Sequence, residues 1–245
     1  MGTMIELPQH DLVAYRADPP GEVRGAVIVI QEIWGLVDHI KDVADRVAAE
    51  GYIAIAPDLL GHVGLSPEAG QQLHGLVTGG DEQARLEAQP RLRELMGPAR
   101  SPEFAAWAVP ALQAVVDLLL EQDEVDGDVA VMGFCFGGSY SFALALAEPR
   151  LKGAVVFYGG FPETGDPATI SCPVLALYGA DDHGITDGVP DLESRMAEAG
   201  VDFSARVYTG VGHAFFNETG PAHHTEVAAD AWARTLAFLQ TAFTD

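Results

Sequence analysis

The sequence predicts an α/β protein built on one mostly parallel, doubly wound sheet with helices on both faces. Three observations lead there. Short apolar runs rich in Val and Ile recur along the chain, amphipathic helical stretches separate them, and this alternation persists from about Val23 to Phe243. No internal repeat, low-complexity tract or linker interrupts it, so a single domain over residues 1–245 is expected.

The elements follow in order. Val23–Ile30 (VRGAVIVI) is a β-branched run ending at polar Gln31-Glu32, as a buried strand would. Asp38–Glu50 places Ile40, Val43, Ala44, Val47 and Ala48 at helical spacing, and Gly51 stops it. Tyr52–Ala56, closed by Pro57-Asp58, is the next strand. The stretch 59–100 is less regular: it holds Gly61, Gly64, Gly70, Gly75, Gly79, Gly80 and Gly97, and a charged helical piece, Asp81–Met96, broken at Pro90. Such an insertion beside a sheet is expected either to act as a cap or binding loop or to be simple decoration. Phe104–Leu120 is strongly helical, with Pro110 expected to bend or restart it. Asp128–Met132 is a strand, followed at once by Gly133–Gly138 and a helix to about Ala147. Lys152–Tyr158, Pro173–Tyr178 and Phe203–Tyr208 are further strands, and Val189–Ala199 and Ala222–Phe243 further helices. In such sheets ligands bind beyond the carboxyl ends of the strands.

Charge narrows the partners. The formal net charge is −23, from 36 acidic against 13 basic residues, and only Lys41 and Lys152 are lysines. A field of that sign repels nucleic acid and anionic membrane surfaces, so neither is an expected partner. It fits either a high-salt host or an ordinary acidic mesophilic enzyme. No run of 18 uninterrupted apolar residues occurs, so no membrane span is expected. Met1–Asp18 carries Glu6, His10 and Asp11 where a signal peptide needs an apolar stretch, which points to the cytoplasm. Two cysteines, Cys135 and Cys172, are too few for a disulfide scaffold, and a reducing compartment leaves both free for chemistry.

The candidate chemistry gathers just past predicted strand ends. Cys135 lies in Gly-Phe-Cys-Phe-Gly-Gly between a strand and a helix, the nucleophile-elbow pattern with cysteine in place of serine. Gly133 and Gly137 supply the small residues that a tight turn requires. The helix start offers backbone N–H groups and a positive dipole end to the sulfur, which favours thiolate. Asp182, in Gly179-Ala-Asp-Asp-His183, and His213, in Gly212-His-Ala-Phe, complete the chain order nucleophile, acid, histidine, with Asp181 as the rival acid. His213 takes the thiol proton, and the carboxylate orients the imidazole. Cys172, ahead of Pro173, reads instead as a small buried hydrophobe. His62, His74, His223 and His224 match no zinc spacing, and no metal or other cofactor is expected.

Four segments, Gln31-Glu-Ile-Trp-Gly35, Gly133–Gly138, Gly179–His183 and Gly212–Phe216, resemble the dienelactone hydrolase family of the α/β-hydrolases, over about Val23 to Phe243. The resemblance implies the α/β-hydrolase fold and hydrolysis of an ester or lactone by a Cys-His-Asp triad. The family's Gly-x-x-Asp spacing places the acid at Asp182. The resemblance also implies that Glu32 contacts the resting thiol and helps govern its ionisation, and that Ile33 donates a backbone N–H to the oxyanion hole. Phe136, directly after the nucleophile, is the second donor. Dienelactone-specific members hold the substrate carboxylate with two arginines. One falls at Asn217 here; the other is matched to Arg85, without the aromatic neighbours expected after it. Trp34 and Phe215 are further candidates for the pocket wall. The expected partner is a small ester or lactone, with the chain a monomer or small homo-oligomer. The rival activities are a general carboxylesterase or thioesterase for small neutral substrates, a non-catalytic ligand-binding protein on the same fold, and a peptidase.

Overall fold

The computed structural model describes residues 1–7, 10–79 and 81–244, with Leu95 described by its backbone alone; Gly80 of the 59–100 stretch lies outside the described residues. Among the described residues eight strands form one sheet, in the order β1-β2-β4-β3-β5-β6-β7-β8. The six strands β3 (Ala26–Ile30), β4 (Ile53–Pro57), β5 (Val129–Phe134), β6 (Gly153–Phe157), β7 (Val174–Gly179) and β8 (Phe203–Tyr208) run parallel. All but β8 are buried almost throughout, which is why they read as unbroken apolar runs rather than alternating ones. This is the α/β-hydrolase architecture.

Side chains of each strand alternate between two cores. Ile28, Ile30, Val131, Val156 and Ala176 face α4 (Pro102–Leu120), α5 (Phe136–Ala147) and α7 (Val189–Ala199). Val27, Val29, Met132, Phe157 and Leu177 face α1 (Asp38–Ala49) and α8 (Thr225–Ala242). Helix α1 packs the stripe expected of it, burying Ile40, Val43, Ala44, Val47 and Ala48. Helix α4 is long and apolar enough to cross a membrane by length and composition. It lies against the sheet instead, burying Phe104, Ala108, Ala111, Leu112, Val115, Val116 and Leu119.

Three features depart from expectation. The chain begins with a hairpin, β1 (Thr3–Leu7) and β2 (Leu12–Ala17), whose second strand pairs antiparallel with β4 and extends the sheet. Neither proline breaks its helix. Helix α3 (Glu82–Ala99) runs through Pro90, and α4 runs through Pro110. Both prolines, and the residues four before them, Leu86 and Ala106, are exposed, so water can hydrate the carbonyl each proline leaves unbonded. The 59–100 stretch is also more regular than its glycines suggest, with a short 3₁₀ turn at Leu60–Val63, then α2 (Pro67–Gly79) and α3, which pack on each other.

Candidate active site

The carboxyl ends of β3, β5, β6, β7 and β8 carry the site, and the backbone there is under tension. Cys135 sits between β5 and α5 with φ 56° and ψ −113°, a conformation that costs a non-glycine residue on the order of 1–3 kcal/mol. Two hydrogen bonds hold it. The Cys135 N–H donates to the Phe157 carbonyl at 2.9 Å, and the Cys135 carbonyl accepts from the Ser139 N–H at 3.1 Å. The turn also closes tightly: a β-carbon on Gly133 would collide with the Gly137 carbonyl, and one on Gly137 with the carbonyls of Ile30 and Gln31. Only glycine permits that approach of helix to strands. The half-buried sulfur is thereby presented at the start of α5.

His213 follows β8, and Ala214 after it takes a left-handed φ of 61°. The His213 Nδ1–H donates to Asp182 Oδ2 at 2.6 Å. Asp182 stands at the start of α6 (His183–Thr186), its side chain 16% exposed, whereas Asp181 is exposed and does not meet the imidazole. Burial alone would lower the His213 pKa. The neighbouring Cys135 side chain and the Asp182 carboxylate outweigh it and push the imidazole up to about 9. Histidine therefore lies between sulfur and carboxylate, with its charged form favoured.

Glu32 is 2% exposed and its two oxygens are both occupied. Oε1 accepts from the Tyr158 hydroxyl at 3.1 Å, and Oε2 accepts from the Asn217 side-chain amide at 2.6 Å. The resemblance implies a direct contact of this carboxylate with the thiol. Here its hydrogen-bond partners are Tyr158 and Asn217; burial first, then the charges of Glu32 and Cys135, hold the Tyr158 hydroxyl well above the ordinary phenol range. Tyr158 is also strained, with φ 42° at the end of β6. Among the described residues, neither the Ile33 N–H nor the Phe136 N–H donates to a protein acceptor. Phe136 is the first residue of α5, where N–H groups have no partner within the helix.

The remaining candidates are placed elsewhere. Trp34, on the arm after β3, is half-buried and meets His74 of α2 edge-on at 5.2 Å. Phe215 is fully buried among Phe157, Tyr158 and Tyr208, a core residue and not a pocket wall. The left-handed turn at Ala214 sends it inward. Arg85 is exposed on α3. Asn217 is 2% exposed and spends its amide on Glu32, so it does not present that group to a ligand. Among the described residues no group of three or more His, Cys, Asp or Glu side chains is placed to hold a metal ion. His62 stacks on Trp107 at 3.6 Å, and His224 caps α8. Motif reading named Gln31 only within its segment and passed over Tyr158 and Thr219. Tyr158 alone carried a signal, as the last residue of a predicted strand.

Comparison with known proteins identifies the family. The family model described as the dienelactone hydrolase family matches residues 12–243. The "Putative carboxymethylenebutenolidase" of Saccharolobus solfataricus is 34% identical over 90% of this chain and 91% of its own length. Its namesake in Escherichia coli K12 is 31% identical, over 96% and 84%. A crystal structure described as a "Putative Dienelactone Hydrolase" from Klebsiella pneumoniae superposes with a TM-score of 0.82 at 29% identity, covering 98% of both chains. The match spans both cores and every segment that builds the site, and the chain belongs to the dienelactone hydrolase family.

Proposed function

We propose that this hydrolase cleaves a small ester or lactone through a thioester on Cys135. The observation that carries the reading is the line Cys135–His213–Asp182, with the sulfur on a strained elbow and the imidazole bonded to the carboxylate at 2.6 Å. The thiolate attacks the carbonyl carbon, and the oxyanion is held by the Ile33 and Phe136 N–H groups. The carbon–oxygen bond breaks, and His213 gives its proton to the departing alkoxide. Water, losing a proton to His213, then attacks the thioester and releases the acid and the thiolate. Each backbone donor aimed at the oxyanion is worth about 3 kcal/mol of barrier, by analogy with serine hydrolases. The mechanism needs no cofactor.

The same geometry favours a neutral substrate, such as that of a general carboxylesterase or thioesterase. Asn217 is committed to Glu32 and Arg85 stands on an exposed helix face, so neither is offered to a substrate carboxylate. The test is a panel of neutral aryl esters, thioesters and an anionic dienelactone on wild type and Cys135→Ala. Turnover should fall at least about a thousandfold in the variant. A variant that kept its rate would refute the nucleophile, and preference for the anionic lactone would refute the neutral substrate.

A further inference from the structure

Behind the proposed oxyanion donor lies a set of buried polar groups that the chemical steps leave unused. The arm leaving β3 begins with Gln31 and Glu32, 0% and 2% exposed, and continues to Ile33. An amide and a carboxylate buried at consecutive positions are tolerated only if their polar atoms find partners. They do. With its amide turned to satisfy both atoms, Gln31 donates to the Pro57 carbonyl at 2.9 Å and accepts from the Leu60 N–H at 3.0 Å, which ties the arm to the end of β4. Glu32 ties it to Tyr158 and Asn217. Asn217 is itself oriented: its Oδ1 accepts from the Thr219 N–H at 3.0 Å and the Thr219 hydroxyl at 2.6 Å, so its NH₂ can only face Glu32. Asn217 and Thr219 lie on the loop that carries His213, and the Tyr158 ring stands 5.0 Å from the His213 ring.

We propose that Asn217, oriented by Thr219, is a positioning residue that clamps the oxyanion arm to the histidine loop. A short amide–carboxylate bond is among the stronger hydrogen bonds a protein makes. Through it the Ile33 N–H and the His213 imidazole keep one register about Cys135. The inference rests on the proposed role of Ile33 at the oxyanion.

The test uses Asn217→Leu, Thr219→Val and Thr219→Ser, with two readouts. One is kcat and KM on a neutral aryl ester. The other is the rate at which iodoacetamide alkylates Cys135, a substitution at saturated carbon that expels iodide and forms no oxyanion. We expect kcat to fall about tenfold in Asn217→Leu and about threefold in Thr219→Val, with KM and alkylation held within about twofold. Thr219→Ser, which keeps the hydroxyl, should restore kcat. Thr219 is exposed, so its variants decide the matter even if Asn217→Leu does not fold. Unchanged kcat in Thr219→Val would overturn the proposal. So would a raised KM at constant kcat, which would make Asn217 a substrate contact, or a joint fall of kcat and alkylation, which would place the effect at the thiol. A wild-type Cys135 inert to iodoacetamide would instead sink the proposed function beneath it.

Discussion

The two cysteines sit at opposite ends of the same sheet, and their surroundings differ in nearly every respect. Cys172 precedes β7 at the amino end, 5% exposed within the core on the α4 face, and burial pushes its thiol up to about 12. Cys135 follows β5 at the carboxyl end, half-buried, at a helix start and against His213. The carboxyl end also collects Cys135, Tyr158 and Ala214, three of the five non-glycine residues with positive φ among the described residues. Strain that a packed core would not repay is gathered where side chains must be aimed. Burial alone makes a thiol inert, whereas partial burial beside an imidazole makes it usable.

That contrast can be broken outright. At pH 7.5 iodoacetamide should label Cys135 more than about a thousandfold faster than Cys172, because a thiol near 12 is almost wholly protonated there. Mass spectrometry after limited alkylation reads the ratio, and comparable labelling would remove the distinction. Next in size is the acid. Asp182→Asn should lower kcat by about a thousandfold or more, since it loses the partner that sets the imidazole tautomer. Asp181→Asn should stay within about twofold, as expected for an exposed carboxylate away from the ring. The reverse ranking in steady-state kinetics would move the acid to Asp181.

A smaller effect concerns pH. The His213 pKa is raised in the fold from 6.5 to about 9. The charged ring is therefore a source of stability below about 6.5, lost as pH rises through about 9. In the proposed mechanism the imidazolium supplies the leaving-group proton, so kcat should decline above about pH 9. In Asp182→Asn that alkaline limb should move down by about one unit, as the carboxylate no longer favours the charge. A limb that did not move would remove Asp182 as a cause of the raised value. The least effect belongs to the other thiol: Cys172→Ala should cost about 1 kcal/mol in chemical denaturation and leave kcat unchanged. A loss of turnover there would mean the two ends are coupled.

Much of this was legible in the residues. Helices α1, α3, α4, α5, α7 and α8 and the parallel strands were expected from helical spacing or unbroken apolar runs, whereas α2 was not, and Val189–Ala199 and Phe203–Tyr208 have the expected bounds. The opening hairpin was not seen, because its strands are five and six residues long and the first is largely exposed. Pro90 and Pro110 misled because a proline's effect depends on whether the freed carbonyl meets water or core, which local sequence does not state. Phe215 misled because adjacency to His213 in sequence is undone by one left-handed residue.

By itself the sequence determined the parallel strands of the sheet, the elbow at Cys135 and the positions of Asp182 and His213 just past strand ends, since each rests on a local pattern of apolar spacing or of small residues around a turn. Only the tertiary structure decided which aspartate meets His213, what Glu32 touches and what Asn217 does. Those choices depend on partners 31, 126 and 185 residues apart. Such groups meet because strand order brings β3, β6, β7 and β8 to one end of the sheet, and a short hydrogen bond selects among neighbours by distances no linear motif encodes.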